Sequence, residues 1–384
     1  AFGGWTAPIG IAWLNDSIAA MVVLVMSFVA VITQVYGRVD TAKDLEKSIP
    51  YYTLILIMVS GLVGIIFAAD LFNVFVFLEV VALTGYALVG AAGGKSLVYA
   101  FRYLLLGSFG ASLYLLGLGH LYVATGTLNM ADLAVRLPEL MTSTAVAGGL
   151  IYIFLGLSIK MALIPLHSWL PDAYANAPSS VTPLLASTVT KVSLVAWIRI
   201  EYSLIAQGVE VSHVPVLVLL EELGVIAALV GGALALIQTN LKRMFAYGGI
   251  SHIGLILIGV SLGNTTGFAG GMFYLINDAV MQASLFMIAG ALIYYHGAHT
   301  LEDLRGVGRQ SPWLTSALVV AAVAMVGLPP TGGFFGKWNI ILGALEAQHY
   351  LAAFAVLAST LLTLAYFLKI FSCWFHQPQP ATSE

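Results

Sequence analysis

The chain has 384 residues, of which 60% are hydrophobic and 9% charged, with a net charge of −3 and a mean hydropathy of +0.96. Soluble domains carry about 25% charged residues, so composition excludes an ordinary soluble enzyme, and the slight acidic balance gives no basic surface for nucleic acid. Cys373 is the single cysteine, which leaves no disulfide, cysteine-ligated cluster or zinc site to build. No cofactor is expected in this chain, and any redox chemistry would belong to a partner.

Residues 1–9 lack the basic stretch and apolar core of a signal peptide. Apolar runs long enough to span a bilayer follow at about 12–36, 50–69, 71–93, 98–124, 144–165, 178–201, 214–238, 240–261, 268–296, 312–346 and 349–375. Strand alternation is absent, so the backbone must satisfy its own hydrogen bonds as helices. The expected class is an all-α polytopic membrane protein. Its organisation reads as a leading helix and loop over 1–49, five-segment blocks over 50–201 and 214–375, and a polar tail over 376–384. The abrupt start and end suggest a piece of a longer protein.

If the segments alternate in direction, one side collects Arg38, Lys43, Lys47, Lys95, Arg102, Lys242, Arg243, Arg305, Arg309 and Lys369. The other side collects Arg136 and Arg199. This asymmetry is a positive-inside signal that places the first group in the cytoplasm. The expected location is a prokaryotic cytoplasmic (inner) membrane, with the lipid bilayer as the surrounding solvent.

Ionisable residues interrupt the apolar pattern. Glu79 lies midway along the third run, in Asn73-Val-Phe-Val-Phe-Leu-Glu79, and a lysine close to it would couple the protonation of the two. Lys160 lies in the fifth run, where Lys160-Met-Ala-Leu-Ile-Pro165-Leu-His167 breaks the helix. Lys191 follows in the sixth, with the hydroxyls of Thr188, Thr190 and Ser193 nearby to hold water. A charge at bilayer depth costs roughly 2.5–3.5 kcal/mol even on lenient scales, which makes such residues functional by default. The rival reading of each is an interhelical ion pair with no transport role.

The densest local pattern is Pro165-Leu-His167-Ser-Trp169-Leu-Pro171-Asp172. His167 and Asp172 would either gate an aqueous half-channel or hold the loop closed as a cap. In the second block, His252 follows Ser251, and imidazole titrates nearest neutrality. Asn277, Asp278 and Gln282 form a polar step in the ninth run, with Asp278 a relay group or a charge-balancing partner. Gly327-Leu-Pro329-Pro330-Thr-Gly332-Gly333 breaks the tenth run, and Lys337 lies just past it, as a relay exit or a snorkelling lysine. Pro165, Pro329 and Pro330 mark unwound backbone, which is tolerated at membrane depth only where it lines protein or water. Paired interrupted helices in corresponding halves point to a transport pathway. His120 has no such company and reads as structural. No metal-ligand spacing or phosphate loop is present.

With these residues in hand, the chain resembles the antiporter-like subunits shared by respiratory complex I, membrane-bound hydrogenases and Mrp-type cation/proton antiporters. The matching stretches are Phe77-Leu-Glu79, Ile159-Lys160 through Asp172-Ala, Ala177-Pro178, Lys191, Leu241-Lys242-Arg243-Met-Phe-Ala-Tyr247 with Ser251-His252, and Gly327 through Lys337-Trp338. The opening Gly3-Gly4-Trp5-Thr-Ala-Pro8-Ile-Gly10-Ile is most similar to the D subunit of the Mrp antiporters or its hydrogenase relatives. The resemblance implies two inverted five-helix repeats, each with a broken helix, within a fourteen-helix subunit of which this chain holds the third to the thirteenth. It also implies a proton relay through Glu79, Lys160, Lys191, His252 and Lys337, to which the reading of this chain's own residues adds Asp278. Many members carry histidine and lysine where this chain has Asp278 and Gln282.

The expected function is proton translocation in a multisubunit membrane complex, with other membrane subunits as partners and protons, or protons and Na+, as cargo. The Mrp setting implies coupling to sodium efflux and the redox setting implies NADH:quinone oxidoreductase or hydrogenase. The rivals are a catalytic oxidoreductase, disfavoured by one cysteine and no nucleotide motif, and a structural subunit that does not pump.

Overall fold

A computed structural model describes residues 4–41, 45–140, 142–205 and 216–375. The polar tail at 376–384, Gly3, Lys43 and the side chain of Lys47 lie outside the described residues. The chain divides into two compact units, Ala1–Glu221 and Glu222–Glu384. Among the described residues, nine helices are long and apolar enough to cross a membrane, with shorter apolar helices at Thr144–Lys160 and Pro312–Val326.

The first unit holds α1 (Ser17–Thr41), α2 (Leu45–Phe67), α3 (Leu71–Gly90), α4 (Lys95–Thr125), short α5 (Met130–Arg136), α6 (Thr144–Lys160), short α7 (Trp169–Asn176) and α8 (Thr182–Ile200). Helix α9 (Val216–Ile237) leads into the second unit, which continues with α10 (Leu241–Ser261), α11 (Thr265–His296), one-turn α12 (Val307–Gln310), α13 (Pro312–Val326), α14 (Gly332–Glu346) and α15 (Tyr350–Phe375). Each unit therefore carries one interrupted helix. In the first, α6 stops at Lys160 and the chain resumes as α7; in the second, α13 stops at Val326 and resumes as α14.

The starts of the central helices are fixed by side-chain caps. Asp70 accepts from the Phe72 and Asn73 amides at 2.9 and 3.1 Å, and Asn240 accepts from the Arg243 amide at 3.0 Å. These bonds satisfy donors that a helix start leaves orphaned. Beside each cap the chain forms the same two-bond bridge. Leu71 donates to Leu128 while Met130 donates to Ala69, and Leu241 donates to His299 while Leu301 donates to Thr239.

Cations close the opposite ends. Arg136 donates to Thr125 O at 2.9 Å at the end of α4, and Lys369 donates to Leu236 and Gln238 at the end of α9. Arg199 donates to Ile66 and Ala68 at the end of α2 and pairs with Asp16 at 2.9 Å. Terminal carbonyls carry partial negative charge, so cations are favoured there. Lys242, counted from the sequence among the cytoplasm-facing cations, sits in the first turn of α10 with its side chain buried.

Helices α4 and α6 make the closest packing in the first unit. A Cβ on Gly110 would lie 3.1 Å from Gly156 O, and one on Gly156 would lie 2.6 Å from Gly110 O. Gly117 and Gly149 repeat the relation seven residues away. Small residues at this spacing let membrane helices approach at backbone distance. This contact carries the C-terminus of α6 to the level of Glu79.

Candidate functional site: buried charges at two helix breaks

In the first unit, Lys160 Nζ donates to Glu79 Oε1 at 2.9 Å. Lys160 is 6% exposed and Glu79 is 27% exposed. Phe75, Leu78, Ala111, Tyr114 and Leu157 surround them. Mutual attraction in such apolar surroundings is strong but works against a desolvation cost of several kcal/mol per ion. Lys160 is the last residue of α6, so its position depends on how that helix ends.

Three features hold that end. Leu163 N–H returns to Ser158 O at 2.9 Å. Ala162 adopts φ +57°, a left-handed conformation that a non-glycine residue enters only when its surroundings hold it there. The Trp169 indole donates to Ile159 O at 2.9 Å and stacks on Tyr103 with centroids 4.0 Å apart. Trp169, quoted in the sequence only as part of a motif, thus fixes the backbone beside Lys160.

Lys191 sits within α8 and is 1% exposed. Its Nζ donates to Ala186 O at 2.7 Å. The hydroxyls expected to hold water around it are partly engaged already. Thr188 donates to Leu184 O and Ser193 to Val189 O, within the same helix. Their lone pairs still accept, so they polarise the site without closing it.

Pro165 is exposed and His167 half-buried. Asp172 lies 3.9 Å from Arg102, an exposed side chain, and its carbonyl accepts from Asn176 at 2.9 Å. A long pair of this exposure contributes little.

In the second unit, His252 Nδ1 lies 2.8 Å from Asp278 Oδ1, and both side chains are 0% exposed. The contact holds one proton between a ring nitrogen and a carboxyl oxygen, and Asp278 is the acidic group that His252 meets. Lys337 is buried and does not snorkel: Nζ donates to Met325 O at 2.9 Å and Val326 O at 3.1 Å, the last carbonyls of α13. Pro329 and Pro330 lie between that end and α14.

Tyr274 stands between these groups, one helical turn before Asp278. Its ring meets His252 edge-on at 5.7 Å, and Lys337 Nζ sits 5.5 Å from its centroid. Sequence reasoning missed Tyr274, although its spacing of four from Asp278 puts both on one helix face. Gln282, another turn on, is buried against Gly249. Ser251 donates to Ala228 O at 2.6 Å and lies 3.0 Å from Ser359 Oγ. His120 is half-exposed, with Nδ1 2.9 Å from Leu116 O in its own helix. Among the described residues, no cluster of three metal-ligating side chains occurs.

Residues 68–363 match the family model described as NADH:quinone oxidoreductase/Mrp antiporter, TM. The chain is 40% identical over 368 residues to the N subunit of the NADH-quinone oxidoreductase of Desulforudis audaxviator, covering 96% of this chain and 73% of the relative. It is 33% identical over 384 residues to the D subunit of the Na(+)/H(+) antiporter of Alkalihalophilus pseudofirmus, covering 100% and 77%. Among solved structures it is similar to a chain of the membrane-bound sulfane sulfur reductase, an archaeal respiratory membrane complex. That match has a TM-score of 0.91 and 31% identity and covers 99% of this chain and 78% of that one. It is similar also to a chain of the Mrp complex from Dietzia sp., with a TM-score of 0.87 and 28% identity over 99% and 70%.

Proposed function

The chain belongs to the NADH:quinone oxidoreductase/Mrp antiporter transmembrane family, and from that membership we propose that it is a proton-translocating subunit of a multisubunit complex in a prokaryotic cytoplasmic membrane. The names of its relatives span a quinone oxidoreductase and sodium/proton antiporters. The proton is common to both settings, and the proton is the cargo assigned here. The drive comes from neighbouring membrane subunits, through a redox arm or through sodium exchange.

The observation that carries this reading is the Lys160–Glu79 pair at the end of an interrupted helix. An ammonium and a carboxylate at hydrogen-bond distance share protonation equilibria. A small displacement of Glu79 strips Lys160 of its counter-charge and favours release of its proton. The first-unit relay is Glu79, Lys160 and Lys191, and the second-unit relay is His252, Asp278 and Lys337. His167 and Asp172, with Pro165, gate the first; Pro329 and Pro330 gate the second.

The test is proton flux in sealed vesicles carrying the whole complex, comparing wild type with Lys160→Ala at matched assembly. Collapse of flux is expected. A second reading, a structural subunit that does not pump, draws on Lys191 and Lys337, whose ammonium groups donate to backbone carbonyls. Unchanged flux in Lys160→Ala would favour it.

A further inference from the structure

Helix α7 has only eight residues, yet two of its aromatic side chains bond to the helices that precede and follow it. The Trp169 indole donates to Ile159 O at 2.9 Å, the carbonyl beside Lys160 on α6. The Tyr174 hydroxyl donates to Leu185 O at 3.1 Å on α8. The next carbonyl of α8, Ala186 O, is the one that accepts from the Lys191 ammonium. Each bond therefore falls one residue from a buried lysine or from the acceptor of one.

The local sequence accounts for this reach. Pro171 stands in the first turn of α7, where its missing N–H breaks no helical bond. Five residues separate Trp169 from Tyr174, which turns their side chains about 140° apart around the axis. One can then face α6 and the other α8, while their rings meet edge-on with centroids 6.2 Å apart. Thr182 adds a second tie to the start of α8, donating to Tyr174 O at 3.4 Å.

A third helix joins through stacked rings. Trp169 lies on Tyr103 of α4 with centroids 4.0 Å and planes 2° apart, and Tyr103 meets Tyr86 edge-on at 4.5 Å. Tyr86 stands seven residues after Glu79 on α3, two turns along the same face. All four rings are buried, and aromatic contacts of this kind favour fixed ring orientations. The carriers of Glu79, Lys160 and Lys191 are all joined to one short helix, two by hydrogen bonds and one through rings.

We propose that Trp169 and Tyr174 are positioning residues of the first-unit relay, which from the two ends of α7 hold Lys160 and Lys191 in register. Neither carries the proton in this scheme. Trp169 sets the carbonyl beside Lys160, and with it the reach of that ammonium to Glu79. Tyr174 sets the stretch of α8 whose carbonyl receives the Lys191 ammonium. Transfer between such groups is sensitive to placement, since a shift of about 1 Å can cost about 100-fold in rate. The assignment rests on the translocation reading and adds to it what keeps two of its groups aligned.

The test uses the complete complex in sealed vesicles. Tyr174→Phe keeps the ring and loses only the hydroxyl bond to Leu185 O. Flux about fivefold slower is expected, the equivalent of one hydrogen bond, at wild-type assembly. Tyr174→4-aminophenylalanine, which returns a donor to the same place, is expected to restore it. Hydrogen exchange reads the coupling itself. Tyr174→Phe is expected to speed exchange over 159–163 at the end of α6 as well as over 185–191, and Trp169→Phe over 185–191 as well as beside Lys160. Effects confined to the substituted end overturn the proposal, as does wild-type flux in Tyr174→Phe. If Lys160→Ala still abolishes flux in the same vesicles, the translocation reading stands without it. If Lys160→Ala is silent, that reading falls and the proposal with it. Failure of both Tyr174→Phe and Trp169→Phe to assemble also overturns the proposal, because α7 then serves folding alone.

Discussion

Of the side chains that carry the site, His252 and Asp278 are the most completely sequestered, so their substitutions separate folding from transport. Asp278→Ala leaves the imidazole facing an empty position, and removing one partner of a buried pair costs about 3–5 kcal/mol. Loss of assembled complex, read by blue-native gel, is expected. Asp278→Asn keeps an amide oxygen within reach of the His252 ring but cannot exchange a proton. Intact assembly with reduced flux is expected of it, and unchanged flux would make the pair structural. The pairing of Glu79 with Lys160 was legible in the sequence because each charge stood alone in an apolar run, and buried charges seek partners. The contact between Asp278 and His252 was less so, since a histidine or carboxylate at that depth has several possible partners. Tyr274 was not legible, because a tyrosine among apolar residues reads as packing. What sets it apart is its place between His252 and Lys337.

Helices position these residues through a few contacts of their own. Gly156 admits the α4 backbone at 2.6 Å from where a Cβ would stand, so Gly156→Val forces α6 away from α4. Overpacking costs about 1–3 kcal/mol, and a lower melting temperature with weakened flux is expected, because Lys160 rides on the displaced helix. Trp169→Phe keeps the stacking on Tyr103 but removes the indole bond to Ile159 O, which then accepts from backbone amides alone, a loss of about 1 kcal/mol. Faster hydrogen exchange over 159–169 would register it. The connection after α11 responds to acid instead. The Thr300 amide and hydroxyl, with the His299 amide, hold the Asp303 carboxyl below the usual carboxylate range. A carboxylate with a lowered folded-state value adds stability above its ordinary value near 3.9 and loses it as pH falls through the lowered one. Protection of the 299–305 amides should therefore drop on acidification through that window in wild type, but not in Asp303→Asn. Element boundaries followed well from hydrophobic length, since α3, α10 and α15 are uninterrupted apolar runs. The short helices α5 and α7 were missed: seven and eight residues carry too little periodicity to stand out from a loop.

At the scale of the whole molecule, each unit has one interrupted helix with a buried lysine beside its break, and the two relays proposed above stand at these breaks. Combining Lys160→Ala with Asp278→Asn tests how they work together. If each relay is obligatory, the double variant transports no less than the weaker single one. Additive losses would instead mark two independent routes, and flux assays of the three variants distinguish the cases. Composition revealed the membrane class at once, whereas the end-capping roles of Arg136, Arg199, Lys337 and Lys369 stayed hidden. A sequence shows where a cation sits but not which carbonyls it reaches.

The grip of Lys337 on the last carbonyls of α13 has a mechanical consequence. The ammonium group is a clamp at a fulcrum, and α14 is the arm, fifteen residues or about 22 Å long. Charge on the clamp tightens it against those oxygens, whereas a neutral amine holds them less firmly. A tilt of about 5° at the fulcrum would sweep the far end of such an arm by about 2 Å. If Lys337 carries a relayed proton as proposed, its charge and the set of α14 become one variable, and a proton gained or lost there is also a torque.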